Sequence, residues 1–150
     1  AADRVQPAGA IYFMLSEDDV QRILAYSRTM IGSDGIPHDK HPHPRLWGTF
    51  PRVLGHYARE LGLFPLEEAV HRMSGLSAET FGIKDRGRVE AGCFADLVLF
   101  DPETVIDRAT FEEPLRPAAG IDMVLVNGSV AFAAGKWTGS RSGRAIRRAA

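Results

Sequence analysis

The sequence predicts an α/β front portion joined to a β-rich rear portion, and three observations carry that expectation. Helical periodicity dominates the first eighty residues. Inside that stretch the short β-prone run TMIG, residues 29–32, stands between a helix and a polar loop. From about residue 83 glycines become frequent and β-branched runs replace helical spacing. A helix, a short apolar strand and then a polar loop is the rhythm of a parallel α/β sheet or barrel. In such folds the loop leaving the carboxyl end of a strand carries the chemistry.

The first helix is expected over about 17–27. Ser16 can cap it, Asp19 stands where a capping box needs its acid, and Val20, Ile23 and Leu24 form the apolar side. TMIG follows as a short buried strand and runs into GSDGIPHDKHPHPR, residues 32–45, whose prolines forbid a helix. A helix over about 51–61 should follow, with Thr49 as cap, Pro51 in its first turn, and Val53, Leu54, Tyr57, Ala58 and Leu61 on one face before Gly62 stops it. Another should start at Pro65, bury Leu66, Ala69, Val70 and Met73, and end at Gly75; a short one should cover 77–81 before Gly82. In the rear portion RGRVEAG and ADLVLFD read as two strands joined by a turn at Ala91-Gly92. MVLVNGSVAF reads as a hairpin whose Asn127-Gly128 pair suits a type I′ turn, because both positions need positive φ.

Composition excludes several classes. The chain has 150 residues, enough for one ordinary domain, and at 45% hydrophobic, 25% charged and net charge −1 it offers no electrostatic case for nucleic acid or an anionic membrane. No apolar run approaches the roughly 20 residues that span a bilayer. The opening AADRVQPAG lacks the pattern of a signal peptide. Cys93 is the single cysteine, so no intrachain disulfide forms, which fits a reducing, cytoplasmic setting. Its apolar surroundings mark it as a small core residue. In the tail, Lys136, Arg141, Arg144, Arg147 and Arg148 should pair with acids of their own domain. The chain opens in mid-texture, like a segment of a longer protein.

The loop holds the residues with chemical potential. His41 and His43 form a His-x-His pair that could chelate zinc on a true strand, but Pro42 and Pro44 favour polyproline geometry and turn the rings apart. His56 and His71 fall in helices, where surface or satisfied histidines are commoner. Asp34 ends the expected strand between small neighbours. It suits either a proton shuttle beside a cation or the cap of a turn. Arg45 suits bidentate capture of a carboxylate, or a salt bridge to Asp39 or another local acid.

The block from SDGIPHDKHPHPRLWGTFPRVLGHYARELGLFPLEEAVHRMSGLSAETFGI through RGRVEAGCFADLVLFDP resembles the C-terminal part of the D-aminoacylases, zinc-dependent N-acyl-D-amino-acid deacylases of the amidohydrolase superfamily. The resemblance implies the end of a (β/α)8 barrel in residues 1–82, with TMIG as its last strand, and strands of a small β-sandwich domain in residues 83–150. It implies hydrolysis of N-acyl-D-amino acids by zinc-activated water, with Asp34 as the proton shuttle and Arg45 as the clamp on the substrate carboxylate. His38 and Asp39 would shape the loop. The family's metal ligands precede the aspartate in chain order, so no metal ligand is expected in this chain and zinc should not bind it stoichiometrically. The expected partner is the missing N-terminal portion, with self-association of the isolated chain, which should be inactive. The rival expectations are a non-catalytic structural fragment, or another amidohydrolase acting on cyclic amides.

Overall fold

The computed structural model describes residues 11–37 and 40–147, so His38, Asp39 and Arg148 lie outside the described residues. Helix α1 spans Glu17–Ala25. Ser16 caps the helix as expected, accepting the Asp19 N–H at 3.2 Å, and its hydroxyl donates to the Asp19 carboxylate at 2.8 Å, so the acid answers the hydroxyl rather than the Ser16 N–H of a full capping box. Val20 and Leu24 turn to the core, while Ile23 stays exposed.

Residues 29–32 run extended but join no ladder among the described residues, so the expected strand is not formed there. A strand needs a neighbour for its N–H and C=O groups. Its hydrogen bonds go elsewhere: Thr29 donates its N–H to Tyr26 and its hydroxyl to the Ile23 carbonyl, and the Ile31 N–H donates to the Arg72 carbonyl at 3.2 Å.

The next helix begins earlier than its periodicity suggests. Helix α2 covers Arg45–Arg52, and the same rod continues as a π-wound segment, Val53–Glu60. Pro44, at φ −51°, already has helical geometry and starts the winding. Thr49 is therefore an interior residue whose hydroxyl donates to the Arg45 carbonyl, and it caps nothing. Pro51 falls inside the helix, where it withholds one N–H, and the winding loosens to π two residues later. Helices α3, Leu66–Met73, and α4, Gly75–Phe81, follow, and Gly82 ends α4 at φ +65°. On α3, Ala69 is buried and Leu66 and Met73 pack on the core as expected, but Val70 is exposed and Arg72 is buried in its place.

The rear portion is a four-stranded antiparallel meander: β1 Leu97–Phe100, β2 Ile121–Val126, β3 Ser129–Ala133 and β4 Lys136–Trp137. Asn127 (φ 48°) and Gly128 (φ 80°) make the expected β2–β3 turn, and Ala134 (φ 49°) and Gly135 repeat the device before β4. ADLVLFD supplies β1, and the turn at Ala91-Gly92 forms, with the Cys93 N–H donating to Glu90. The strand expected in RGRVEAG does not form; Val89 is 87% exposed, and Arg86 instead reaches across to Asp96 and Asn127. Cys93 is only half-buried, outside the core cluster, because the turn leaves it at the sheet entrance. Lys136, Arg141, Arg144 and Arg147 form no ion pair among the described residues, contrary to expectation.

Helices and sheet share one core. Val53, Leu54, Tyr57 and Ala58 of the π segment meet Phe64, Ala69 and Val105, with Phe100 and Ile121 closing it from the sheet. Gly55 allows this: a Cβ there would lie 2.4 Å from the Val105 carbonyl. No helix among the described residues is long and apolar enough to cross a membrane.

Candidate functional site

The loop after Ile31 places its two candidate residues side by side. Asp34 has φ 48°, a left-handed conformation that aspartate tolerates better than most side chains. Gly35 then passes against the start of α2 so closely that a Cβ would meet the Leu46 Cδ1 at 2.6 Å and its Cα at 2.9 Å. That close passage sets Asp34 beside Arg45, the first residue of α2, and Asp34 Oδ2 lies 2.9 Å from Arg45 Nη2.

The pair resolves two alternatives left by the sequence. The turn is capped by Ser33, whose Oγ accepts the Gly35 N–H at 3.3 Å, so Asp34 is not its cap. Among the described residues the local acid that Arg45 holds is Asp34; Asp39 lies outside them. The Asp34 side chain is 83% exposed and that of Arg45 37%, so the ion pair adds little to stability. Arg45 Nε, by contrast, is buried and finds no hydrogen-bond partner among the described residues. Half of the guanidinium fork thus faces an acid while another donor stays unsatisfied.

The histidines take structural posts. His41 Nε2 donates to the Phe111 carbonyl at 2.7 Å, seventy residues away in sequence. His43 Nδ1 accepts the Arg45 N–H at 3.0 Å, and its ring stands edge-on to Phe111 with centroids 5.2 Å apart. Pro42, between them, is fully buried. Burial, and then the neighbouring Arg45 guanidinium, hold the His43 pKa below its ordinary value. Beside these residues lies a cleft of about 350 Å³ lined by His43, Arg45, Arg52, Asp107, Phe111 and Glu112 among others. Sequence reading missed Phe111 altogether, and FEEP carries no periodic signal that could have exposed it.

No three His, Cys, Asp or Glu side chains converge as a metal site among the described residues. His56 pairs with Glu60 through Nδ1 at 2.9 Å, within its own helix.

The amidohydrolase family profile matches residues 2–132. The D-aminoacylase of Alcaligenes xylosoxydans xylosoxydans is 64% identical over 146 residues, which are 97% of this chain and 30% of that protein. A crystal structure of a D-aminoacylase superposes with a TM-score of 0.93 at 64% identity, over 95% of this chain and 30% of the solved one. An N-acyl-D-glutamate deacylase from Bordetella bronchiseptica, solved with zinc and a phosphonate mimic of the tetrahedral intermediate, gives a TM-score of 0.80 at 52% identity over 83% of this chain and 26% of its own. The chain therefore spans about 30% of the length of the relatives it matches.

Proposed function

From the premise that the chain belongs to the amidohydrolase family, we propose that it serves, as part of a longer protein, in hydrolysis of the amide bond of N-acyl-D-amino acids. The observation that carries this reading is the Asp34–Arg45 pair, a left-handed aspartate held 2.9 Å from a guanidinium with an unsatisfied Nε. The likeness to D-aminoacylases over nearly the whole chain supports the substrate class.

Each residue then has one task. Arg45 binds the substrate carboxylate through its planar fork. A substrate carboxylate reaching Nη2 would compete with Asp34 there, so substrate binding releases Asp34. The freed carboxylate accepts a proton from the attacking water and returns it to the leaving amine, giving the D-amino acid and a carboxylate. Zinc belongs to this reading by likeness to the zinc-bound deacylase, with an upstream portion of the longer protein supplying its cradle. The isolated chain is therefore inactive.

In a full-length protein carrying this chain, Asp34→Asn should lower kcat by a factor of about 100 or more with folding intact, since asparagine also accepts positive φ. Near-parental turnover would remove the proton-shuttle role. Arg45→Met should raise KM for carboxylate-bearing substrates; an unchanged KM with lower kcat would assign it another task. Adding the upstream portion to this chain should restore deacylation; a non-catalytic fragment would stay silent.

A further inference from the structure

The loop's remaining residues suggest how the clamp is aimed. We infer that His43, seated on Phe111, is the positioning residue for Arg45 and so sets affinity for the substrate carboxylate. This rests on the carboxylate-clamp reading of Arg45 and goes beyond it to a residue outside the ion pair.

Arg45 opens a helix, so its N–H has no partner within that helix. Pro44, the preceding residue, offers no side-chain cap. His43 Nδ1 fills the role at 3.0 Å, and so fixes the Arg45 backbone from one side. From the other side Gly35 packs directly on Leu46 and brings Asp34 to the guanidinium. The His43 ring is steadied by its edge-on contact with Phe111, and the residue before it, Pro42, is fully buried. Phe111 is itself tied to the loop through its carbonyl and His41 Nε2. Phe13 adds a second edge-on ring to Phe111, with centroids 5.0 Å apart. The segment leading from β1 toward β2 thereby holds the loop that carries Asp34 and Arg45.

Only the unprotonated Nδ1 accepts this hydrogen bond. Protonation would remove the acceptor and set a second positive charge beside Arg45. Among the described residues, the charged groups that share the cleft with His43 are Arg45 and Arg52 on α2, with Asp107 and Glu112 on the facing segment; Asp107 is engaged by Arg52 at 3.4 Å. The depressed His43 pKa agrees with a ring that works neutral.

The test uses the zinc-loaded full-length protein that carries this chain, with an N-acyl-D-amino acid as substrate. His43→Phe keeps the ring on Phe111 but cannot accept a hydrogen bond. It should raise KM about tenfold, the size of one lost hydrogen bond, and leave kcat within about twofold. His43→Asn returns an acceptor at similar reach and should recover most of the affinity. KM of the parent should climb only as the pH falls below the ordinary imidazole range, since the folded ring protonates there, and this rise should vanish in His43→Asn. A soluble His43→Phe with parental KM would overturn the assignment. So would a loss confined to kcat and thermal stability, or an acid-side KM rise that persists in His43→Asn. If Arg45→Met leaves KM unchanged, the clamp reading itself fails; if Arg45→Met raises KM and His43→Phe does not, only the positioning role fails.

Discussion

Asp34 and His43 show how single residues become useful by being held in unusual states. Asp34 occupies a left-handed backbone, and its close neighbour Gly35 leaves room for the loop to press on α2. His43 is kept neutral by burial and by Arg45, and that neutrality has a consequence for stability. The unfolded chain protonates His43 near its ordinary value of 6.5, whereas the folded chain protonates it only at lower pH. Between those two values the unfolded state binds more protons, so stability falls as the pH drops through about 6.5, and the loss is complete below the folded value. Urea midpoints measured across about pH 5 to 8 should fall more on the acid side for the parent than for His43→Asn. Equal acid sensitivity would mean that the ring titrates as it does in the unfolded chain.

Among the elements, α3 ties the front portion together through a residue whose type gives no hint of burial. Arg72 is 4% exposed and stands over the Phe64 ring at 4.8 Å. Its Nε donates to Glu68 at 2.7 Å, and its Nη1 reaches the Leu24 and Tyr26 carbonyls at the end of α1. The same residue's carbonyl accepts the Ile31 N–H, so both flanks of the chain entering the Asp34 loop hang on α3. Arg72→Met keeps the stem packing but strands two helix-end carbonyls. It should cost about 3 kcal/mol, read as a lower urea midpoint with an unchanged slope. A cost under about 0.5 kcal/mol would show that water replaces the guanidinium without penalty. The β2–β3 turn is tied in a comparable way: Asn127 accepts from Arg86 at 2.5 Å and donates to the Ser142 carbonyl at 2.6 Å.

At the scale of the molecule the apolar surface is unfinished. Tyr12, Phe13, Met14 and Leu15 are largely exposed, as are Val98 and Leu99 on β1 and Trp137 on β4. Exposed apolar runs and unpaired strand edges promote association. Sedimentation of the isolated chain should therefore show concentration-dependent self-association, and the upstream portion of the protein should suppress it. A strictly monomeric chain at about 100 μM would mean that these side chains find cover within the chain itself.

Much was legible from local chemistry. The Ser16 cap, the Asn127-Gly128 turn, β1 and the helical face of Val53, Leu54, Tyr57 and Ala58 all depend on neighbours a few residues apart, which the sequence displays directly. The block containing Asp34 and Arg45 also marked the family before any geometry was known. What local pattern could not give were facts that depend on distant partners. TMIG has β propensity but no ladder partner, RGRVEAG spends Arg86 on the hairpin, and Val70 yields its buried place to Arg72. The same holds for the histidines of the loop. Their sequence spacing permitted a metal site, but contact with Phe111 across seventy residues turned them into supports for Arg45, because a side chain's role is set by what the folded chain brings within hydrogen-bonding reach.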